Sequence, residues 1–264
     1  MADIITGTHL TIGYDKRVIL RDQALHIPAG LITGLIGPNG SGKSTLLKAV
    51  AQINPLTAGD LQVLGQPLSA YSSKQLATKL AYLAQSPQVP GDLTVATLVK
   101  LDRYAYHSGM FGADPEEKVQ VQAAMIQAKV ADLADRPLNS LSGGQKQRAM
   151  IAMTLAQNAE ILLLDEPTTY LDLTHQLSVL NLMQCLNHDM GKTVVVVLHD
   201  LNQAARYCDH LICVHDGELV ATGTPKQVLT DELLASVFGV TAELVTPSGC
   251  DYPQLLNTQT LEDA

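Results

Sequence analysis

Apolar positions along this chain alternate between short compact runs and helical spacings. Near the N-terminus, Ile4, Thr6, Thr8 and Leu10 alternate with smaller residues, and residues 18–20 and 24–27 are short apolar runs. These read as strands, with Pro28-Ala29-Gly30 as a turn between them and the next run. Residues 31–36 form a compact apolar strand that ends in a glycine loop, and residues 45–52 have helical spacing. Residues 61–64 and 80–84 are further short strands. After Pro87 the spacing becomes helical, over 94–105, 115–130 and 143–157. Residues 86–156 therefore read as a mostly helical insert. Beyond it, 161–164 is a buried strand, 174–188 an amphipathic helix that ends before Gly191, and 193–198 a strand with four consecutive valines. Strands apolar on both faces that alternate with helices predict an α/β fold with a parallel sheet covered on both sides. No internal repeat is visible, and the tail beyond Ser248 is polar and is expected to be loose.

Composition narrows the reading further. With 46% hydrophobic and 16% charged residues over 264 positions, the chain can bury a large core, which excludes disorder. The net charge of -9 disfavours a long basic nucleic-acid surface. Cys185, Cys208, Cys213 and Cys250 match no zinc spacing and are expected to be buried free thiols in a reducing cytoplasm. The first nine residues lack a signal-peptide pattern. There is also no apolar run of about 18 residues. Work at a membrane would require a partner to hold the chain there.

Three motifs carry chemistry. Gly37-Pro38-Asn39-Gly40-Ser41-Gly42-Lys43-Ser44-Thr45 lies between a strand and a helix, the setting a phosphate loop needs. Its glycines let backbone N–H groups surround the β- and γ-phosphates, Lys43 supplies positive charge, and the Ser44 hydroxyl can ligate Mg²⁺. Asp165 and Glu166 follow four apolar residues, at the strand end where ligands collect in open α/β sheets. Asp165 can hold Mg²⁺ through water, and Glu166 can polarise an attacking water. Ser142-Gly143-Gly144-Gln145 begins a predicted helix. It reads either as a plain cap on Ser142 or as a second anion-accepting terminus, whose simplest use is the γ-phosphate of another subunit.

Phosphate loops also serve kinases and GTPases, but this set of motifs in this order resembles the nucleotide-binding subunits of ABC transporters. The resemblance extends from Leu10 to about Val228. It implies a P-loop NTPase (RecA-like) core with a mostly parallel sheet, an N-terminal antiparallel β-subdomain and an inserted α-helical subdomain. The ATPase domain would span 1–228, with the insert at about 86–156 and a short C-terminal extension over 229–264. By position, the resemblance also implies that Tyr14 stacks on adenine, and that Gln85 touches Mg²⁺ and senses a membrane partner. Asp172 would communicate between two ATP sites, and His199 would contact the γ-phosphate. An ordinary strand tyrosine, a solvated loop amide and a helix start remain the plain alternatives for Tyr14, Gln85 and His199.

Members of that family pair head to tail, with ATP and Mg²⁺ between the phosphate loop of one copy and residues 142–145 of the other. The Thr169-Tyr170-Leu171-Asp172 stretch followed by His175-Gln176 resembles the ATPases of bacterial ferric-siderophore importers, and more broadly those for haem and cobalamin. So does the stretch 98–109, with Arg103-Tyr104 and His107-Ser108. That stretch and Gln85 would lie where multi-span permease subunits dock, at the cytoplasmic face of the inner membrane. A substrate-binding protein outside would act only indirectly. His175 is expected to cap or pack on its own helix rather than bind metal. The rival is an ABC ATPase without a membrane partner, acting on ribosomes or DNA, but those usually carry two ATPase halves or a long coiled-coil insertion.

Overall fold

The computed structural model describes residues 2–14, 17–106 and 116–261. The chain divides into two compact units, Met1–Ala70 with Thr193–Ala264, and Tyr71–Lys192.

In the first unit, the strands Asp3–Tyr14, Arg17–Pro28 and Leu56–Val63 form an antiparallel sheet. The runs 18–20 and 24–27, expected as separate strands, belong to one strand. Leu20 pairs with Ile12 and Gln23 with Leu10, so the second strand carries one extra residue there, and Asp22 takes a positive φ of 53°. That bulge shifts the alternation, which is why Leu20 faces the core on one parity and Leu25 and Ile27 on the other. Beside this sheet in the chain, strand Ile32–Ile36 pairs in parallel with both Thr193–Val197 and His210–His215. Glu218–Gly223 adds an antiparallel edge. All five residues of Ile32–Ile36 and of Thr193–Val197 are buried, as a strand covered on both faces requires.

The tail departs from expectation. Strand Gln254–Thr260 pairs antiparallel with Val240–Val245, and Leu255 is buried, with its backbone N–H and C=O both bonded to the Asn202 side chain. Buried Pro253 and Leu255, the pairing with Val240–Val245 and the Asn202 bonds order a stretch whose composition reads as solvent-facing.

In the second unit, Leu80–Leu83 and Ile161–Leu164 form a parallel pair. Helices Val95–Leu101, Glu117–Gln127 and Gly143–Ala156 pack on one another, and Leu173–His188 follows the second strand. The unit thus begins before, and ends after, the stretch 86–156 that reads as helical. Cys208 and Cys213 are buried, but Cys185 is exposed and Cys250 part-exposed, so only two of the four thiols are the core residues expected. No helix among the described residues is long and apolar enough to cross a membrane.

Candidate active site

In the first unit, the buried Ile32–Ile36 strand delivers the chain into the phosphate loop. Gly37 has φ 141°, and a Cβ there would sit 2.0 Å from the Val214 carbonyl oxygen on the neighbouring strand. Glycine is therefore required twice over, by backbone conformation and by space. Lys43 is 4% exposed, and its ammonium donates to the carbonyls of Gly37 (2.9 Å) and Pro38 (2.7 Å). The Ser41 N–H donates to the Pro38 carbonyl at 3.3 Å, closing the turn, while Asn39 and Gly40 are exposed at its tip. Gly42 caps helix Lys43–Val50, which places Ser44 and Thr45 in its first turn. Two carbonyls thus tether the ammonium at the base of the loop, and the helix start that follows supplies backbone N–H groups, together a cradle for anionic oxygens. Burial pushes the thiol of Cys213 up to about 11, the Lys43 charge acting against it, so the sulfur remains a neutral thiol.

His199 emerges at the same sheet edge. The parallel register pairs Leu35 with Val197, and the Leu198 N–H donates to the Leu35 carbonyl, so His199 and Gly37 leave neighbouring strands side by side. Asp200 caps the helix Leu201–Tyr207 by accepting the Gln203 N–H at 2.9 Å, which ends the strand and leaves His199 exposed between strand and helix. Tyr14 closes its strand opposite Arg17, but its side chain lies outside the described residues.

In the second unit, the two carboxylates behave differently. Asp165 is 1% exposed and accepts the Tyr82 hydroxyl at 3.0 Å. Its own N–H extends the strand pairing to the Leu83 carbonyl. Glu166 turns away with φ 50°, the left-handed region, and is only part-buried. Its Oε2 accepts both the Gln85 amide, at 2.5 Å, and the Thr169 hydroxyl, at 3.1 Å. A non-glycine residue held at positive φ costs on the order of 1 kcal/mol or more and persists only where its surroundings impose it. Gln85 is thus brought to Glu166 by the register of the two strands.

The Gly143–Ala156 helix begins with a complete capping box. The Ser142 hydroxyl accepts the Gln145 N–H, and the Gln145 side chain accepts the Ser142 N–H. Ser142 and Gly143 are exposed and Gly144 is buried. The cap geometry expected of a plain helix start is present.

An ABC transporter family model matches residues 20–169. The chain is 43% identical over 252 residues to the iron(3+)-hydroxamate import ATP-binding protein FhuC of Bacillus subtilis, covering 96% of this chain and 94% of that protein. It is 42% identical over 264 residues to the ferric enterobactin transport ATP-binding protein FepC of Escherichia coli, covering 96% and 97%. The chain belongs to the ABC transporter family. The dimeric, post-hydrolysis ATP-binding cassette MJ0796 with ADP and phosphate superposes with a TM-score of 0.73 at 30% identity, over 83% of this chain and 98% of that one.

This ABC protein binds and hydrolyses ATP, the shared work of the family's ATP-binding subunits. Its second unit holds further contacts that sequence reasoning missed. Tyr82 and Thr169 are donors to the two carboxylates. The one trace of Tyr82 in the sequence is a single polar-tipped aromatic inside an aliphatic strand. Asp172 caps helix Leu173–His188, accepting the His175 N–H at 2.9 Å and the His175 ring Nδ1 at 2.6 Å on one oxygen. These bonds hold the Asp172 carboxyl below the usual carboxylate range. Arg103, expected on a docking stretch, points inward instead. It is 2% exposed, lies over the Tyr106 ring and donates to the Ala156 carbonyl at 3.0 Å. Tyr106 donates to the next carbonyl, that of Gln157, at 2.6 Å. The C-terminal end of the double-glycine helix is thereby tied to residues 103–106. His107, Ser108 and Gly109 lie outside the described residues.

Proposed function

We propose that this ATPase powers the uptake of an iron chelate through separate membrane subunits, working as a head-to-tail pair at the cytoplasmic face of the inner membrane. Near full-length similarity to ATP-binding proteins named for iron(3+)-hydroxamate import and ferric enterobactin transport carries the reading. The Tyr170 and His175-Gln176 context supports it. In this reading, Gly37 to Thr45 cradle the ATP phosphates, Lys43 neutralises them and Tyr14 stacks on the adenine. Ser142, Gly143, Gly144 and Gln145 meet the nucleotide of the other copy, and Asp172 links the two sites.

Ser44, Gln85 and Asp165 offer a hydroxyl, an amide oxygen and a carboxylate. This all-oxygen donor set suits Mg²⁺, which supplies charge neutralisation for phosphoryl transfer when bound. The buried Asp165, oriented by Tyr82, is the fixed member. Glu166 orients and polarises the attacking water, and His199 contacts the γ-phosphate. Because Gln85 donates to Glu166, a shift of the Gln85 loop imposed by a docked permease changes the orientation of the general base. That contact gives transport a route to the chemistry.

Three experiments test this reading. Lys43→Ala should abolish growth on one ferric chelate as sole iron source, and unimpaired growth would refute the cargo and the site together. Glu166→Gln should bind ATP, form a stable dimer and turn over slowly. Normal steady-state hydrolysis would remove Glu166 from its role. A multi-span subunit should co-purify with the chain, whereas ribosomal RNA in its place would favour the non-transport rival.

A further inference from the structure

The two adjacent glycines of the double-glycine helix are not equivalent. A Cβ at Gly143 would meet nothing within 4 Å. A Cβ at Gly144 would sit 1.8 Å from Cδ2, 2.3 Å from Cγ and 2.5 Å from Nε2 of His175. The imidazole therefore occupies the place of the missing side chain, against the backbone of the helix's first turn. The other edge of the same ring is fixed, because Nδ1 bonds the Asp172 carboxylate at 2.6 Å and that oxygen also accepts the His175 backbone N–H. One ring thus joins two helix starts, at Gly144 and at Asp172, and both of its edges are constrained.

We infer that His175 is a positioning residue that locks the first turn of the Gly143–Ala156 helix to the Asp172 carboxylate, so that both engage a second copy's nucleotide as one unit. The inference rests on the head-to-tail reading above. A histidine that merely capped its own helix would need neither contact with Gly144 nor its ring bond to Asp172, since the backbone N–H alone completes the cap. The same arrangement explains why the second glycine cannot carry a side chain even before any nucleotide arrives.

The test uses ATP-driven dimerisation of the full chain in the Glu166→Gln background, followed by analytical ultracentrifugation, with ATP affinity measured separately below the dimerisation threshold. Adding His175→Ala should weaken dimerisation at least tenfold, while ATP affinity changes less than twofold. His175→Asn, whose amide can still donate to Asp172, should recover most of the loss. His175→Leu, which fills the space without that bond, should not. Gly144→Ala should also fail to dimerise, and His175→Ala should partly rescue it by vacating the space its methyl needs. If Glu166→Gln dimerises and His175→Ala dimerises equally well, the positioning role is overturned and the head-to-tail reading stands. It is also overturned if asparagine does no better than leucine, or if His175→Ala does nothing for Gly144→Ala. If Glu166→Gln itself never dimerises with ATP, the head-to-tail reading fails first. If His175→Ala loses its cooperative thermal transition, the asparagine and leucine pair decides.

Discussion

Removing a single hydroxyl tests whether Asp165 is the fixed member of the proposed Mg²⁺ set. Tyr82→Phe keeps the ring and its packing on strand Leu80–Leu83 and deletes only the O–H that donates to Asp165 at 3.0 Å. Asp165 is 1% exposed, so water cannot readily replace the lost donor. A hydrogen bond to a charged acceptor contributes roughly 1.5–3 kcal/mol, and leaving the acceptor short of a partner costs a similar amount. Part of that loss should appear in folding, as about 1 kcal/mol or a few degrees in Tm for a chain of this size. The larger effect should be on metal use. Partners that orient a metal-binding carboxylate are typically worth about 10–100-fold in affinity or activity. At saturating ATP, the ATPase rate should therefore need about ten times more free Mg²⁺ to reach half its maximum, with most of kcat recovered at high Mg²⁺. Equilibrium Mn²⁺ binding in the presence of a non-hydrolysable nucleotide should weaken in parallel, independent of turnover. Superimposable metal titrations for Tyr82→Phe and the parent chain would refute the assignment of Asp165 as the oriented ligand. A loss of kcat with no change in metal dependence would do the same, placing Tyr82 in general packing.

Gly37→Ala should lose more than tenfold in ATP affinity with the far-UV spectrum retained. Its methyl would lie 2.0 Å from the Val214 carbonyl at φ 141°, and strain of roughly 1–3 kcal/mol falls on the loop. Arg103→Ala, which removes a buried side chain and leaves the Ala156 carbonyl short of a donor, should destabilise the chain by about 2–4 kcal/mol in urea unfolding. A change below about 0.5 kcal/mol would mean that the 103–106 stretch is not anchored to the double-glycine helix. Burial pushes the Asp102 carboxyl up from 3.8 to about 6, so between those values the folded chain binds more protons than the unfolded one, and stability from this group rises as pH falls through the window. At pH 7.5 the ionised group costs at most about 3 kcal/mol, so Asp102→Asn should stabilise the chain there and flatten the pH 4–6 part of its stability profile; an unchanged profile would discount the burial.

Much of this protein is written in local windows of its sequence. The phosphate loop is legible because glycine spacing, a flanking apolar strand and a following helix are all short-range requirements. Gly37 needs its backbone angles whatever the rest of the chain does. The strands 161–164 and 193–198 are legible because residues covered on both faces are apolar without alternation. The capping box from Ser142 to Gln145 spans only four residues. Even the long strand Arg17–Pro28 was half visible, its two runs separated by a bulge that breaks the period.

What the sequence left open are contacts whose partners lie far apart in the chain. Tyr82 meets Asp165 across 83 residues and Gln85 meets Glu166 across 81, and both pairings follow from one strand register, Tyr82 opposite Leu163 and Leu83 opposite Leu164. A slip of one residue would turn the Tyr82 hydroxyl to the other face of the pair, and no window containing only one of the strands records which register wins. The inward turn of Arg103, the Asn202 bonds that order the tail and the His175 ring against Gly144 have the same origin. Each is a polar or space-filling group whose partner is brought to it by packing elsewhere in its unit. The residue types that can do the chemistry are set by the sequence alone; which of them hold one another in place is decided by tertiary packing, because hydrogen bonds and steric exclusion act over a few ångströms and local sequence does not say which distant residues will lie that close.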